Sequence, residues 1–212
     1  VKPGWRTLLL QGAEAVAVLP VFVTAPLFRS WHLRWGATEV EVASPLPGDG
    51  LVTTSHFTAT RAITVNAQPE EVWPWVIQVG INRAGFYSYD LLDSLGIPSS
   101  NTVLPEWQNL RVGDVVAPMT AKPNPATSFV VAEEKFPVQL VWAKPDSSWS
   151  WRFTRLPGNR TRLVTRLKQH YRPGRSLLLT VPLLELADFP MMRKMLYGIK
   201  KRAEGNSMPG TR

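Results

Sequence analysis

The sequence predicts an α+β domain in which short helices and one long C-terminal helix lie on a single antiparallel sheet. Three patterns carry this. Residues 149–171 alternate with period two: Trp149, Trp151 and Phe153 are interleaved with Ser150, Arg152 and Thr154, and a second alternating run follows the turn at residues 156–159. Phe189, Met192, Leu196, Ile199 and Ala203 recur at three and four residues, an apolar stripe opposite Arg193, Lys200, Lys201 and Glu204. Nineteen Pro spread over 212 residues disfavour a helical bundle.

Residues 1–35 form an apolar N-terminal segment. Positions 7–28 carry only Thr7, Gln11, Glu14 and Thr24 as polar side chains, with Lys2 and Arg6 before them and Arg29 and Arg34 after. The length matches the roughly 20 residues of a bilayer span. Against that, Glu14 is costly near a bilayer centre, and Pro20 and Pro26 are expected to interrupt a helix. Three readings stay open: a membrane anchor, a helix packed on the domain or lying in the interface, and a secretory signal without a clear small-residue cleavage site. Trp31 and Trp35, beside Arg29, His32 and Arg34, suit a membrane interface and equally an anchoring contact on the domain.

Residues 36–57 read as a connector, with turn chemistry at every step from Ser44 to Gly50. The globular domain is expected over 58–204 and a disordered tail over 205–212. A strand at 59–66 presents Ile63 and Val65 on one face. Pro69, Glu70 and Glu71 open a helix carrying Val72, Trp73, Trp75, Val76 and Val79, which is expected to stop at Gly80. Residues 81–95 turn into a second short helix, Gly113-Asp114 leads into a strand, and 129–132 with 138–143 form a hairpin around Glu133, Glu134 and Lys135. Asp188 before Pro190 reads as the cap and first turn of the closing helix.

The formal charge is +8, but its placement says more than its sum. Residues 147–204 hold thirteen Lys and Arg against Glu185, Asp188 and Glu204, while the rest of the chain is slightly acidic. The second run of the alternating hairpin sets Arg162, Val164, Arg166, Lys168, His170 and Arg172 on one face, and Leu163, Thr165, Leu167, Gln169 and Tyr171 on the other. The basic face is expected to be solvated, with an anionic membrane surface as its alternative partner. Nucleic acid is disfavoured, because no helix-turn-helix, zinc-finger or RNA-recognition pattern is present.

The catalytic inventory is poor. The sequence has no Cys and only three His, none paired at metal spacing, no nucleophile elbow and no phosphate-cradling glycine loop, so no metal or cofactor is expected. His32 falls outside the expected domain, His56 in the connector and His170 on the basic face. The polar group most capable of chemistry is Arg83, Tyr87, Tyr89, Asp90, Glu106 and Gln108. Tyr87, Tyr89, Asp90 or Glu106 inside an apolar cavity could polarise a carbonyl or move a proton. The simpler expectation pairs Glu106 with Arg83 and uses Asp90 to tie down the second helix.

Several segments together carry a family resemblance. RAITVNAQPEEVWPWVIQVG from residue 61, RAGFYSYD from 83, PEWQNL from 105 and VGD from 112 resemble the opening of SRPBCC superfamily domains, the START-like and polyketide cyclase/dehydrase-like proteins, in a bacterial branch. WSWR from 149, TRLVTR from 161 and the helix MLYGIKKRAE from 195 extend the resemblance over about residues 35–204. It implies a helix-grip fold: a curved antiparallel sheet wrapped around the C-terminal helix, two short helices after the first strand, and a hydrophobic cavity between sheet and helix. Together with the alternation it assigns the ligand wall to Leu140, Trp142, Trp149, Trp151, Phe153, Leu163, Leu167, Met192, Leu196 and Ile199. It implies no single reaction, since the scaffold hosts carriers, binders and cyclases. The expectation is therefore a binder or carrier of a lipid, quinone, polyketide or isoprenoid-like molecule. A cyclase or dehydratase using Tyr and carboxylate groups is the alternative, and a membrane-anchored accessory domain the second.

Overall fold

A computed structural model describes residues 4–171, 174 and 181–206. Six strands form one antiparallel sheet in the order β1-β6-β5-β4-β3-β2: β1 Phe57–Val65, β2 Val115–Val116, β3 Phe129–Lys135, β4 Gln139–Lys144, β5 Ser147–Leu156 and β6 Arg160–Gln169. The sheet curves around the C-terminal helix, Asp188–Asn206, here α6, which is the helix-grip architecture expected of an SRPBCC-type domain. The hairpin register places Trp149 opposite Leu167, Trp151 opposite Thr165 and Phe153 opposite Leu163, so the period-two pattern faces the core as read. All five members of the helical stripe, Phe189, Met192, Leu196, Ile199 and Ala203, are buried.

The remaining helices are α1 Trp5–Thr24, α2 Arg29–His32, α3 Glu39–Ala43, α4 Pro69–Ile77 and α5 Asp90–Ser94. Helix α4 opens with Pro69 and a capping box in which Gln68 N–H donates to Glu71. It stops at Ile77, before the expected Gly80, with Gln78 as its C-cap leaving the helical backbone at φ −93° and ψ 2°. Helix α6 ends at Asn206, so it runs into the first two residues of the expected tail; residues 207–212 lie outside the described set, as does Arg172 of the basic stripe.

The connector does more than connect. Residues 33–35 pair with the outer edge of β1, where Thr60 N–H donates to Leu33 O (2.8 Å) and Ala62 N–H to Trp35 O (3.2 Å), covering a strand edge that would otherwise be open. Residues 36–51 then cross the outer face of the sheet and overturn the expectation that its basic stripe is solvated. Arg162 grips Glu41 with two nitrogens (2.7 and 2.8 Å) and Gly36 O. Arg166 binds Asp49 (2.7 Å), Thr60 Oγ1 and the carbonyls of Glu41, Val42 and Ser44, and Lys168 Nζ donates to Asp49 O. Arg166 is 5% exposed. Gly48, at φ +84°, sits so close to Val141 and Ser150 that a Cβ there would lie 2.5 Å from Val141 Cγ1.

At the N-terminus, α1 runs through Pro20 without a break, and Thr24 Oγ1 donates to Pro20 O. Pro26 falls in the 3₁₀ turn Ala25–Phe28 that follows. The helix packs on α5, on the π-helical turn Leu183–Ala187 and on α6, through Gln11 to Gly96 O and an ion pair between Glu14 and Lys194. No helix among the described residues is long and apolar enough to cross a membrane, which removes support for the membrane-anchor reading. His32, expected outside the domain, is fully buried and stacks on Phe189 (5.3 Å). Its carbonyl accepts from Arg61 Nε, while Arg61 Nη1 binds Asp188 (2.6 Å). Asp188 thus neutralises a buried arginine of β1, where the sequence reading made it a simple helix cap.

Candidate functional site

The sheet and α6 do not meet evenly. Near the start of α6 a cavity of about 240 Å³ remains, just below the roughly 300–1,000 Å³ usual for small-molecule sites. Helix α6 contributes Met191, Met192, Met195 and Asp188, and the π-turn before it contributes Leu183 and Leu184. A π-turn holds one more residue per turn than an α-turn, and such bulges recur at functional sites. Trp149 and Leu167 line it from the sheet, and Phe86, Ser88, Leu92, Asp93 and Met119 complete the wall. Leu92 and Leu183 are each about half exposed, and Met119 is 39% exposed, which marks the mouth. Four of the chain's five Met line this space; their unbranched, polarizable side chains adapt to varied apolar shapes.

The wall is held by a strained segment. Tyr87 adopts φ +56°, a left-handed conformation that non-Gly residues rarely take. Several contacts hold it there. Its N–H donates to Ser99 Oγ (3.0 Å), its hydroxyl accepts from Gln78 Nε2 (2.7 Å), and the Arg202 guanidinium covers its ring at 4.4 Å. Gly198 of α6 allows the approach: a Cβ there would lie 2.4 Å from Tyr87 O. Tyr87 is in this way the pivot between Phe86 and Ser88, both of which reach the cavity. On the sheet side, Trp149 Nε1 donates to Thr165 Oγ1 (2.8 Å), which sets the ring.

Asp93, on α5, is the carboxylate of the cavity wall facing Met-rich α6, and the sequence reading did not select it. Burial pushes its pKa up to about 7, helped by the charge of Asp90 and opposed by the Ser88 hydroxyl and by Lys194. Ser88 Oγ stands close enough to favour the ionised carboxylate, yet neither Ser88 Oγ nor Asp93 Oδ2 completes a well-formed hydrogen bond with the protein. Asp188, the other acid in the wall, is already paired with Arg61. The Asp90-x-x-Asp93 spacing was the available signal, since it puts two acids on one face of a helix that otherwise reads Leu-Leu-Ser-Leu.

The expected chemical residues are placed as follows. The Tyr87 hydroxyl is engaged by Gln78, and burial pushes its pKa up to about 12. Tyr89 lies under Lys194 Nζ, 4.0 Å from its ring centre. Asp90 accepts from Ser99 Oγ at 2.6 Å, tying α5 to the loop after it. Glu106 is exposed and does not meet Arg83, contrary to the pairing expected. Arg83 instead donates to Ile77 O (2.8 Å) and Val115 O (3.1 Å) and lies over the Trp107 ring at 4.2 Å. Gln108 joins Tyr87 through Gln78, whose Oε1 accepts from Gln108 Nε2 and Leu104 N. Gln78 is the residue that organises this group, and its one signal in the pattern is a polar side chain at a helix end.

Of the ten residues assigned to the ligand wall, Trp149, Leu167 and Met192 border the cavity. Leu140, Trp142, Trp151, Phe153, Leu163, Leu196 and Ile199 belong to the packed core beside it. Trp142, Trp149 and Trp151 interlock there with ring centres 5.1–5.7 Å apart.

No family model and no curated protein matches the chain. Solved structures do. The self-sacrificing resistance protein CalC from Micromonospora echinospora is 12% identical, covering 72% of this chain and 97% of its own, with a TM-score of 0.43. A Polyketide_cyc-like protein from Corynebacterium glutamicum is 13% identical over 70% and 92%, with a TM-score of 0.43. An AHSA1-like protein from Aeromonas hydrophila is 13% identical over 72% and 97%, with a TM-score of 0.37.

Proposed function

We propose that the protein binds a small hydrophobic molecule, or the end of a longer one, in the cavity at the start of α6. The observation that carries this reading is the cavity itself, about 240 Å³ with four Met and Trp149 in its wall and a half-exposed mouth at Leu92 and Leu183. Burial of apolar ligand surface would supply the affinity, at roughly 25 cal/mol per Å² before the costs of association. Native mass spectrometry of protein purified from its host, with organic extraction of bound material, tests the reading. Met192→Trp, which fills the space, should abolish binding while circular dichroism stays native. Equal binding by the filled variant, or no bound or bindable apolar molecule at all, overturns it.

A second reading concerns a partner surface. The outer side of α1 and the turn after it expose Leu9, Leu10, Val16, Leu19, Leu27 and Phe28, with Trp5 and Arg6 at one end and Trp31 and Arg34 beyond the other. Such a helix suits shallow, in-plane contact with an anionic bilayer. Co-sedimentation with phosphatidylglycerol vesicles, weakened by Leu9→Ser with Leu19→Ser, supports this reading. Recovery of the protein wholly in the supernatant overturns it.

A further inference from the structure

The cavity has a polar end, and its chemistry is selective. Its apolar wall is interrupted by Ser88, Asp93 and Asp188, and among the described residues no Lys or Arg belongs to the lining. Asp188 is neutralised by Arg61 at 2.6 Å, so it offers little to a ligand. Ser88 is 6% exposed, its hydroxyl lies beside the Asp93 carboxylate, and neither Ser88 Oγ nor Asp93 Oδ2 completes a well-formed hydrogen bond with the protein. A buried polar atom without a partner costs free energy, and a ligand atom that supplies the partner recovers it.

We infer that Ser88 and Asp93 are the recognition pair for a neutral oxygen, so that the cavity takes an apolar molecule ending in a hydroxyl or carbonyl and rejects one ending in a carboxylate. The inference rests on the binding reading above and adds the class of ligand. The charges around Asp93 fit it. The Asp90 carboxylate lies on the same helix, and among the described residues the cation that acts on Asp93 is Lys194 of α6, which is shared with Glu14 of α1. Across the cavity, Asp188 and Arg61 cancel. A second carboxylate would therefore enter beside Asp93 with no uncompensated cation among the described residues to neutralise it.

The pair also distinguishes the two neutral groups. A protonated Asp93 donates to a carbonyl, whereas an ionised one only accepts, and so favours a hydroxyl. Because burial lifts this carboxyl to about 7, the change falls in an accessible range.

Isothermal titration calorimetry of the full chain with octan-1-ol, octan-2-one and octanoate at pH 6 and pH 8 tests the inference. At pH 8 octan-1-ol should bind at least about tenfold more tightly than octanoate. Octan-2-one should lose about threefold or more between pH 6 and pH 8 while octan-1-ol holds its affinity. Asp93→Asn should admit octanoate about tenfold better at pH 8 and remove the pH dependence of the ketone. Ser88→Ala should weaken octan-1-ol by about fivefold. Octanoate binding as tightly as octan-1-ol at pH 8, or an Asp93→Asn variant with an unchanged preference, overturns the inference and leaves the cavity as an apolar binder. If none of the three binds, the binding reading falls first, and this one with it.

Discussion

The two halves of α6 are one helix with one apolar stripe, but they are packed by different rules. Toward the C-terminus, Leu196, Ile199 and Ala203 are completely buried where the helix meets α4 and β1, and Gly198 brings the backbone against Tyr87. Toward the N-terminus the same stripe continues as Met192, with Met195 beside it, the π-turn feeds in ahead of it, and a cavity opens. Periodicity says which side of a helix faces the sheet. Side-chain shape decides whether that side closes. Branched aliphatics in staggered rotamers fill space to crystal-like density, while Met tolerates a gap of variable shape.

The sharpest test of this contrast is truncation at each end. Leu196→Ala removes a fully buried side chain from the closed half and should cost about 4 kcal/mol, within the roughly 2–5 kcal/mol range for such changes. Met192→Ala at the open half enlarges a space that already exists and should cost about 2 kcal/mol, at the bottom of that range. Urea denaturation with unchanged slopes measures both. Equal losses would mean that the cavity end is packed as tightly as the rest.

Much of this arrangement was legible because it is periodic. Alternation placed Trp149, Trp151, Phe153, Leu163 and Leu167 on the helix side, and the three-and-four spacing placed Met192, Leu196 and Ile199 opposite them. Which of these border the gap depends on the tilt and length of α6 and on the turn preceding it, and local pattern carries no information about that. The outer face failed for a related reason. Arg162 and Arg166 alternate like solvated residues, but their partners include Glu41, Asp49 and the carbonyls of Glu41, Val42 and Ser44, more than a hundred positions away. A connector rich in turn residues looks like a linker until those carbonyls are seen to be acceptors. His32 was misplaced for the same reason, since its burial comes from Phe189 at the far end of the chain.

Asp93 sharpens the contrast from the polar side, because it belongs to the open half alone. Its folded pKa of about 7 stands above the roughly 3.9 of an unfolded Asp, so the folded protein holds the proton longer. Stability from this group is therefore greatest below about pH 4, falls as pH rises from about 4 to 7, and is level above that. The loss across the window should be on the order of 4 kcal/mol. Asp93→Asn should flatten the profile of stability against pH over that range. A wild-type profile already flat between pH 4 and 7 would place Asp93 in contact with solvent.

Gly198 belongs to the closed half but touches Tyr87, the residue between Phe86 and Ser88 of the cavity wall. Alanine there gains roughly 1 kcal/mol of helix propensity, but its Cβ would lie 2.4 Å from Tyr87 O and 2.6 Å from Tyr87 Cβ. Both are closer than real atoms approach, and the Tyr87 backbone is already held in a left-handed conformation. The clash should win, with a net loss of about 2 kcal/mol. Displacing Tyr87 also carries Phe86 and Ser88 outward, so ligand affinity should fall together with stability. A variant more stable than the wild type would show that the segment yields freely.

The smallest effect is expected at Thr165, and it separates the three interlocked indoles. Trp149 Nε1 donates to Thr165 Oγ1, whereas the indole N–H groups of Trp142 and Trp151 are buried without a partner. The two unpaired rings sit in the closed core, where neighbouring rings hold them; the paired ring borders the cavity, where packing on one side is missing. In this core a hydrogen bond is made where shape alone would leave the ring free. Thr165→Val keeps the side chain's volume and removes the acceptor, so it should cost about 1 kcal/mol. It should also move a single indole N–H resonance in a nitrogen–proton correlation spectrum, and that resonance should move again when a ligand fills the cavity. If the Val variant shifts the resonances of Trp142 and Trp151 as strongly as that of Trp149, the three rings act as one packed unit and the distinction between the two ends of the core does not reach the sheet.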